Sequence, residues 1–261
     1  MNIVFKTVML CFIFFVLYCK KESTAPAFVD TPIVQAYLSP GNPVSVTISR
    51  QTPFSSNAQY SSDSINTLKV FITTNNKTYT LTPIGNGQYV DSSLIVSDTS
   101  HYSLSFVFNG KTVTASTPIP SKPLNFGESE SSITVTSTFS FGSIPEPVRL
   151  GWSNPDGSYY IVVVKNIETN PVLIDTSSTA PSFSFVQPPT TSDSERINAL
   201  QFKYYGKTLL ILYHVNPDYA ELYDNSTTSS QNLTAPSSDI TNGYGIFTGL
   251  NADTLTINVE E

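Results

Sequence analysis

Cysteine is nearly missing from this chain. It occurs only as Cys11 and Cys19 in 261 residues. No disulfide can form within residues 20–261, so that part must hold by packing and hydrogen bonding. Histidine is equally scarce. His101 and His214 are too few for a multi-histidine metal centre, and no nearby thiols complete one. Neither a metal nor a cofactor is expected. Charged residues make up 13% of the chain, with 13 Lys and Arg against 20 Asp and Glu. Cations are nowhere concentrated along a groove, which argues against nucleic acid as a partner. Long apolar runs are missing apart from Thr7 to Tyr18, which falls short of the about 20 residues a spanning helix needs.

That run carries the first positive signal. Lys6 precedes it, and Cys19-Lys20-Lys21-Glu22 follows it. A cation, a short apolar stretch and a polar exit are the parts of an export signal. The expected product is a lipoprotein with leader 1–18, lipid on Cys19, and a short tether over 19–27. Tyr18 is larger than the small residue favoured before a lipidated cysteine. An ordinary signal cut elsewhere and an uncleaved anchor therefore stay open. The first two readings both export the chain.

Ser and Thr total 67, and aromatics reach 12%. Low charge with many Thr, Val, Tyr and Phe is a strand-rich composition. Val44, Val46 and Ile48 alternate with polar residues, as do Leu68, Val70 and Ile72. So do Tyr102, Leu104, Phe106 and Phe108. Period two marks half-buried strands. Asn109-Gly110 is a strong hairpin signal, with Asn75-Asn76 and Gly85-Asn86-Gly87 as further turns. Pro118, Pro120 and Pro123 interrupt the pattern and suggest a boundary. The expected fold is all-β: two tandem antiparallel sandwiches of immunoglobulin or fibronectin type III kind, over 28–120 and 121–261. In the second, Val148–Trp152, the turn Asn154-Pro155-Asp156-Gly157 and Tyr159–Lys165 look like strands B and C of a fibronectin type III domain. Trp152 would lie in its core. Leu200, Phe202 and Tyr204 with Thr208–Tyr213 read as a hairpin, whose second strand is apolar on both faces and so central. Asn216-Pro217-Asp218 opens a single short helix.

Catalytic patterns are sparse. His214 and Asp218 have no nucleophile turn beside them. Gly243 to Gly249 lacks the helix and the Lys-Ser/Thr of a phosphate loop. Its glycines fit a bulge or a tight start to a strand instead. No enzyme is expected. Tyr219, Tyr223, Tyr244 and Phe247 are the candidate partner-binding residues, because aromatics anchor interfaces. The plainer alternative is that these rings only cover a sheet edge.

LLILYHVNPDYAELYDNSTT and NLTAPSSDITNGYGIFTGLNADTLTINVE resemble the ending of Bacteroidota lipoproteins of the family known as domain of unknown function 4249. The helix Asp218-Tyr219 through Tyr223 and the segment Ile240 through Gly249 carry the likeness. The opening PIVQAYLSPGNPVSVTISRQTPF fits as well. The resemblance implies an outer-membrane lipoprotein without catalysis, an accessory of TonB-dependent transporters in nutrient uptake. Lys20-Lys21-Glu22 partly resembles the signal that sends such proteins to the cell face. A structural or adhesive surface protein without a small ligand is the alternative.

Overall fold

The computed structural model describes residues 30–51, 65–136, 145–175, 181–225 and 239–261. The leader 1–18, Cys19 and the tether lie outside them, as does most of the polar loop after the helix.

Strands appear where alternation predicts them over Val44–Ile48 and Tyr102–Phe108, whereas of Leu68, Val70 and Ile72 only Ile72 falls within a strand. The first region holds β1 (Pro32–Leu38), β2 (Pro43–Arg50), β3 (Phe71–Thr74), β4 (Lys77–Thr80), β5 (Thr82–Gly85), β6 (Gln88–Ile95), β7 (His101–Phe108) and β8 (Lys111–Pro118). The second holds β9 (Leu124–Glu128), β10 (Ser132–Thr134), β11 (Val148–Ser153), β12 (Tyr159–Asn166), β13 (Ser184–Val186), β14 (Ser194–Ile197), β15 (Gly206–Val215), helix α1 (Pro217–Asn225) and β16 (Tyr244–Glu260). Asn109 and Gly110 both take positive φ, 48° and 76°, and close the β7–β8 hairpin. Asparagine tolerates this region better than most residues, which is why Asn75, Asn76 and Asn86 mark turns too.

Two cores form under one sheet. That sheet runs β13-β12-β15-β16-β1-β2-β6-β5, with β10 also on β16. The order β4-β3-β7-β8 closes the first sandwich, and β14-β11-β9 closes the second. β11 and β12 therefore lie in opposite sheets, as the fibronectin-like reading expects. Pairing is mostly antiparallel, but β16 runs parallel to both β1 and β10. Val34, Val46, Ile72, Tyr102 and Phe106 fill the first core. Val148, Leu150, Trp152, Val162 and Leu212 fill the second.

β16 is the element that joins the sandwiches. Tyr244–Gly249 pairs with β1, and Leu250–Val259 pairs with β15. Its odd side faces a core along its length: Phe247 the first, Ile257 and Val259 the second. Thr31–Glu261 thus form one compact unit. The chain crosses between sandwiches near Pro118–Pro123, where the sequence divides it, and crosses again within β16. Ile240 and Phe247 belong to the first core although they follow β9–β15 of the second sandwich in sequence. Gly245, at φ 106°, makes this approach possible, because a side chain there would strike the Val34 carbonyl. Gly249 does the same against Pro118.

Two local expectations need correction. Leu200 to Tyr204 is not a hairpin strand. Ala199–Gln201 is a 3-10 turn, held by reciprocal capping between Asn198 and Gln201. β15 pairs instead with β12 and β16, and is central as expected. Asn216 precedes α1, but its side-chain amide points into the junction between the sandwiches.

Candidate functional site

The outer face of the shared sheet is apolar where a solvated face would be polar. On β12, Ile161 and Val163 point outward while Tyr160, Val162 and Val164 enter the core. On β15 the outward row is Leu209, Ile211, Tyr213 and Val215, opposite the buried row Thr208, Leu210 and Leu212. Register sets Ile161 beside Tyr213, Val163 beside Ile211 and Val186, and Val215 beside Leu250. Strands apolar on both faces ordinarily lie under a covering layer.

A groove of about 300 Å3 opens on this face. Ile161, Val163, Val215 and Leu250 line it with Val186, and Tyr37, Tyr213 and Tyr219 supply phenol rings. Ile161 and Val215 are buried at 3% exposure, whereas Val186 is 45% exposed. Tyr219 comes from α1 and meets Tyr37 of β1 edge to face, with centroids 5.8 Å apart. Burial raises the Tyr219 hydroxyl above its ordinary pKa, and neighbouring tyrosines add to the rise. This combination suits an apolar or aromatic group with a polar end.

A polar seam fixes the groove's walls. Asn216 Nδ2 lies 3.0 Å from Thr117 Oγ1, 3.0 Å from the Pro118 carbonyl and 3.1 Å from the Gly249 carbonyl. The Gly249 amide donates to Thr117 Oγ1. Asn251 Nδ2 donates to Asp98 and to the Pro120 carbonyl. His214 Nδ1 faces the Ser121 carbonyl at 2.8 Å, so that nitrogen carries the proton. Its ring stacks on Tyr160 at 4.8 Å. Lys122 pairs with Asp253 at 3.0 Å.

Two carboxylates lie beside the helix start. Asp218 accepts from Thr248 Oγ1 at 3.0 Å and from the Tyr219 amide, yet burial still raises its pKa. Asp239 is lifted to about 6, first by burial and then by the negative Asp218. Backbone amides of Phe247 and Asp239 offset this in part, although neither carboxylate oxygen has a hydrogen-bond partner of ordinary geometry. Both Asp239 oxygens are shut off from solvent, so the pair does not present an acid and a base to a substrate. Among the described residues no group of three or more His, Cys, Asp or Glu could hold a metal.

The candidate residues read from sequence separate in space. Tyr219 lines the groove. Tyr223, one helical turn on, is half-buried and is not among the lining residues. Tyr244 is 37% exposed at the start of β16, opposite Ile33. Phe247 is fully buried in the first core, so it cannot anchor a partner. Its side chain points inward because β16 alternates and Tyr244, Ile246 and Thr248 take the outer side. Trp152 lies in the second core at 6% exposure, 5.6 Å from Tyr160. Sequence reasoning missed Tyr37 and Tyr213. The signal was available for Tyr213, since both rows of β15 are apolar.

The geometry defines an all-β protein of two fused, fibronectin-like sandwiches with an aromatic groove on their common sheet. The chain belongs to the family described as domain of unknown function 4249, whose model matches residues 24–256. No curated protein matches it. Among solved structures it is similar to the crystal structure of chicken CNTN1 FN1-FN3 domains, at 11% identity and a TM-score of 0.28, over 89% of this chain and 67% of that one.

Proposed function

We propose that this chain is a non-enzymatic binding or accessory subunit of an outer-membrane nutrient-uptake complex. Lipid on Cys19 would hold it at the membrane, at the cell face. The outer face of the shared sheet would dock on a TonB-dependent transporter. The observation that carries this reading is the apolar outward row on β12 and β15, with Val186 45% exposed beside it. Apolar side chains that line an open groove, here half-buried at Val163 and Tyr213, are a mark of interaction sites. The seam supports it, because a groove shared by two sandwiches keeps its shape only if the junction is stiff.

Affinity purification from detergent-solubilised outer membranes tests it. The wild type is expected to bring down a TonB-dependent transporter, and Tyr213→Ser to lose it while keeping its melting temperature. Retention of the transporter by a folded Tyr213→Ser variant would overturn the docking face. Labelling with a fatty-acid analogue checks the anchor: wild type should be marked and Cys19→Ala unmarked.

A further inference from the structure

The groove has a neighbour. A trench of about 680 Å3 runs beside β13, between Ser184–Gln187 on one wall and Asn198–Lys203 on the other. Val186 lines both the trench and the aromatic groove.

β13 ends the shared sheet. The Gln187 amide donates to the Val162 carbonyl at 2.9 Å, and the Asn166 amide to the Phe183 carbonyl at 2.8 Å. In an antiparallel ladder the alternate residues then turn their backbone groups away from β12. Ser184 and Val186 are those residues. The Ser184 amide is met by Ser182 Oγ at 3.2 Å. The Ser184 carbonyl and both backbone groups of Val186 thus face the trench.

The two ends of the sheet differ. β5, at the far end, carries Pro83 and a register break between Pro83 and Gly85. Proline and irregular pairing are ordinary defences of an edge strand. β13 reads Ser-Phe-Val, with neither proline nor charge. Its defences lie around it: a length of three residues, Pro181 and Pro188 on either side, and Lys203 on the facing wall. The trench has room for a segment of at least that length. A strand residue fills roughly 160 Å3, from its rise, strand spacing and sheet spacing. The space therefore takes roughly four residues of extended chain.

We propose that β13 receives an extended segment of a protein partner as an added strand. The segment's backbone pairs with Val186 and with the Ser184 carbonyl. Its side chains alternate. One row extends the outer face beyond Val186, at the rim of the groove, so it is apolar. The other row faces Leu200 and the Gln187 and Gln201 amides, which meet at 3.5 Å. Backbone bonds supply affinity and the alternate pockets supply choice of sequence. This inference rests on the outer face being the docking face, and adds the manner of docking.

The test uses the full chain purified in detergent and a fluorescein-labelled Thr-Val-Thr-Val-Thr-Val peptide. Fluorescence anisotropy should show saturable binding below about 1 mM. The same peptide N-methylated at alternate amides keeps its side chains and should bind at least about tenfold more weakly. Val186→Pro, which removes the outward amide, should weaken the parent peptide and leave Trp152 emission unchanged. No saturable binding of the parent peptide, or equal binding of both peptides, would overturn strand addition. The methylated peptide keeps this decision open should Val186→Pro misfold. Sedimentation of the chain alone is the companion measurement: a dimer that Val186→Pro dissociates would make a second copy the occupant and overturn the partner assignment. Transporter capture separates the two readings. Loss with Tyr213→Ser but not with Val186→Pro keeps the docking face and rejects strand addition, whereas retention by both rejects the docking face itself.

Discussion

Tyr37 of the first sandwich and Tyr219 of the helix between β15 and β16 meet edge to face, with ring planes at 81°. The contact closes one end of the groove and ties α1 to β1. Aromatic pairs of this geometry contribute about 0.5–1.5 kcal/mol beyond the area they bury. A double-mutant cycle with Tyr37→Ala and Tyr219→Ala, read by denaturant unfolding, should return a coupling in that range. Additive effects would show that the rings do not stabilise each other.

Asn216 should matter more than its half-exposed place suggests. Its amide nitrogen reaches acceptors on β8 and β16 together. Asn216→Ala takes the donor away from the buried Gly249 carbonyl and Thr117 and Thr248 hydroxyls and should cost about 1–3 kcal/mol. Asn216→Asp should be worse, because it sets a carboxylate among acceptors. The wild type should unfold in one transition, since β16 belongs to both cores. Two separable transitions in the wild type would contradict the shared-strand account.

Asp239 sets a pH dependence. Its carboxyl sits at about 6 in the fold against 3.8 for the unperturbed group. A raised acid pKa means that the fold prefers the neutral form. Stability should therefore be greatest below about pH 4 as far as this group is concerned, and fall as pH rises through about 6. Asp239→Asn should raise the melting temperature at pH 7–8 and flatten the curve between about pH 4 and 6. Parallel curves for wild type and variant would sink this assignment.

Trp152 offers a direct probe of the second core. It is the chain's one tryptophan, 6% exposed, with an indole nitrogen that lacks a partner. Trp152→Ala should cost about 3–5 kcal/mol. Folded-state emission should be blue-shifted from free indole, and emission like that of free indole would contradict its burial.

Alternation made much of the fold legible. Tyr102, Leu104, Phe106 and Phe108 are all core residues, and Asn109-Gly110 is the turn that follows. Pattern alone failed where two structures share one pattern. Leu200, Phe202 and Tyr204 alternate like a strand, but Asn198 and Gln201 cap each other and curl the chain first. Asn216 has the composition of a helix cap, while acceptors from β8, distant in sequence, claim its amide. Gly243 to Gly249 reads as a bulge or a tight start to a strand, a pattern that does not name the core beneath it, so in the sequence Phe247 is available to a partner. The groove was half legible. Tyr219 stands out on its helix, whereas Tyr37 reaches it only through the parallel pairing of β1 with β16.

Site-specific photo-crosslinking in living cells tests the docking face most directly. A photoreactive phenylalanine analogue replaces Tyr213 in the groove, or Ile84 at the other end of the sheet, where exposure is 61%. The expected result is a crosslinked adduct with a TonB-dependent transporter from position 213 and none from position 84. Equal adducts from both positions, or none from 213 while the transporter still co-purifies with the chain, would contradict the account.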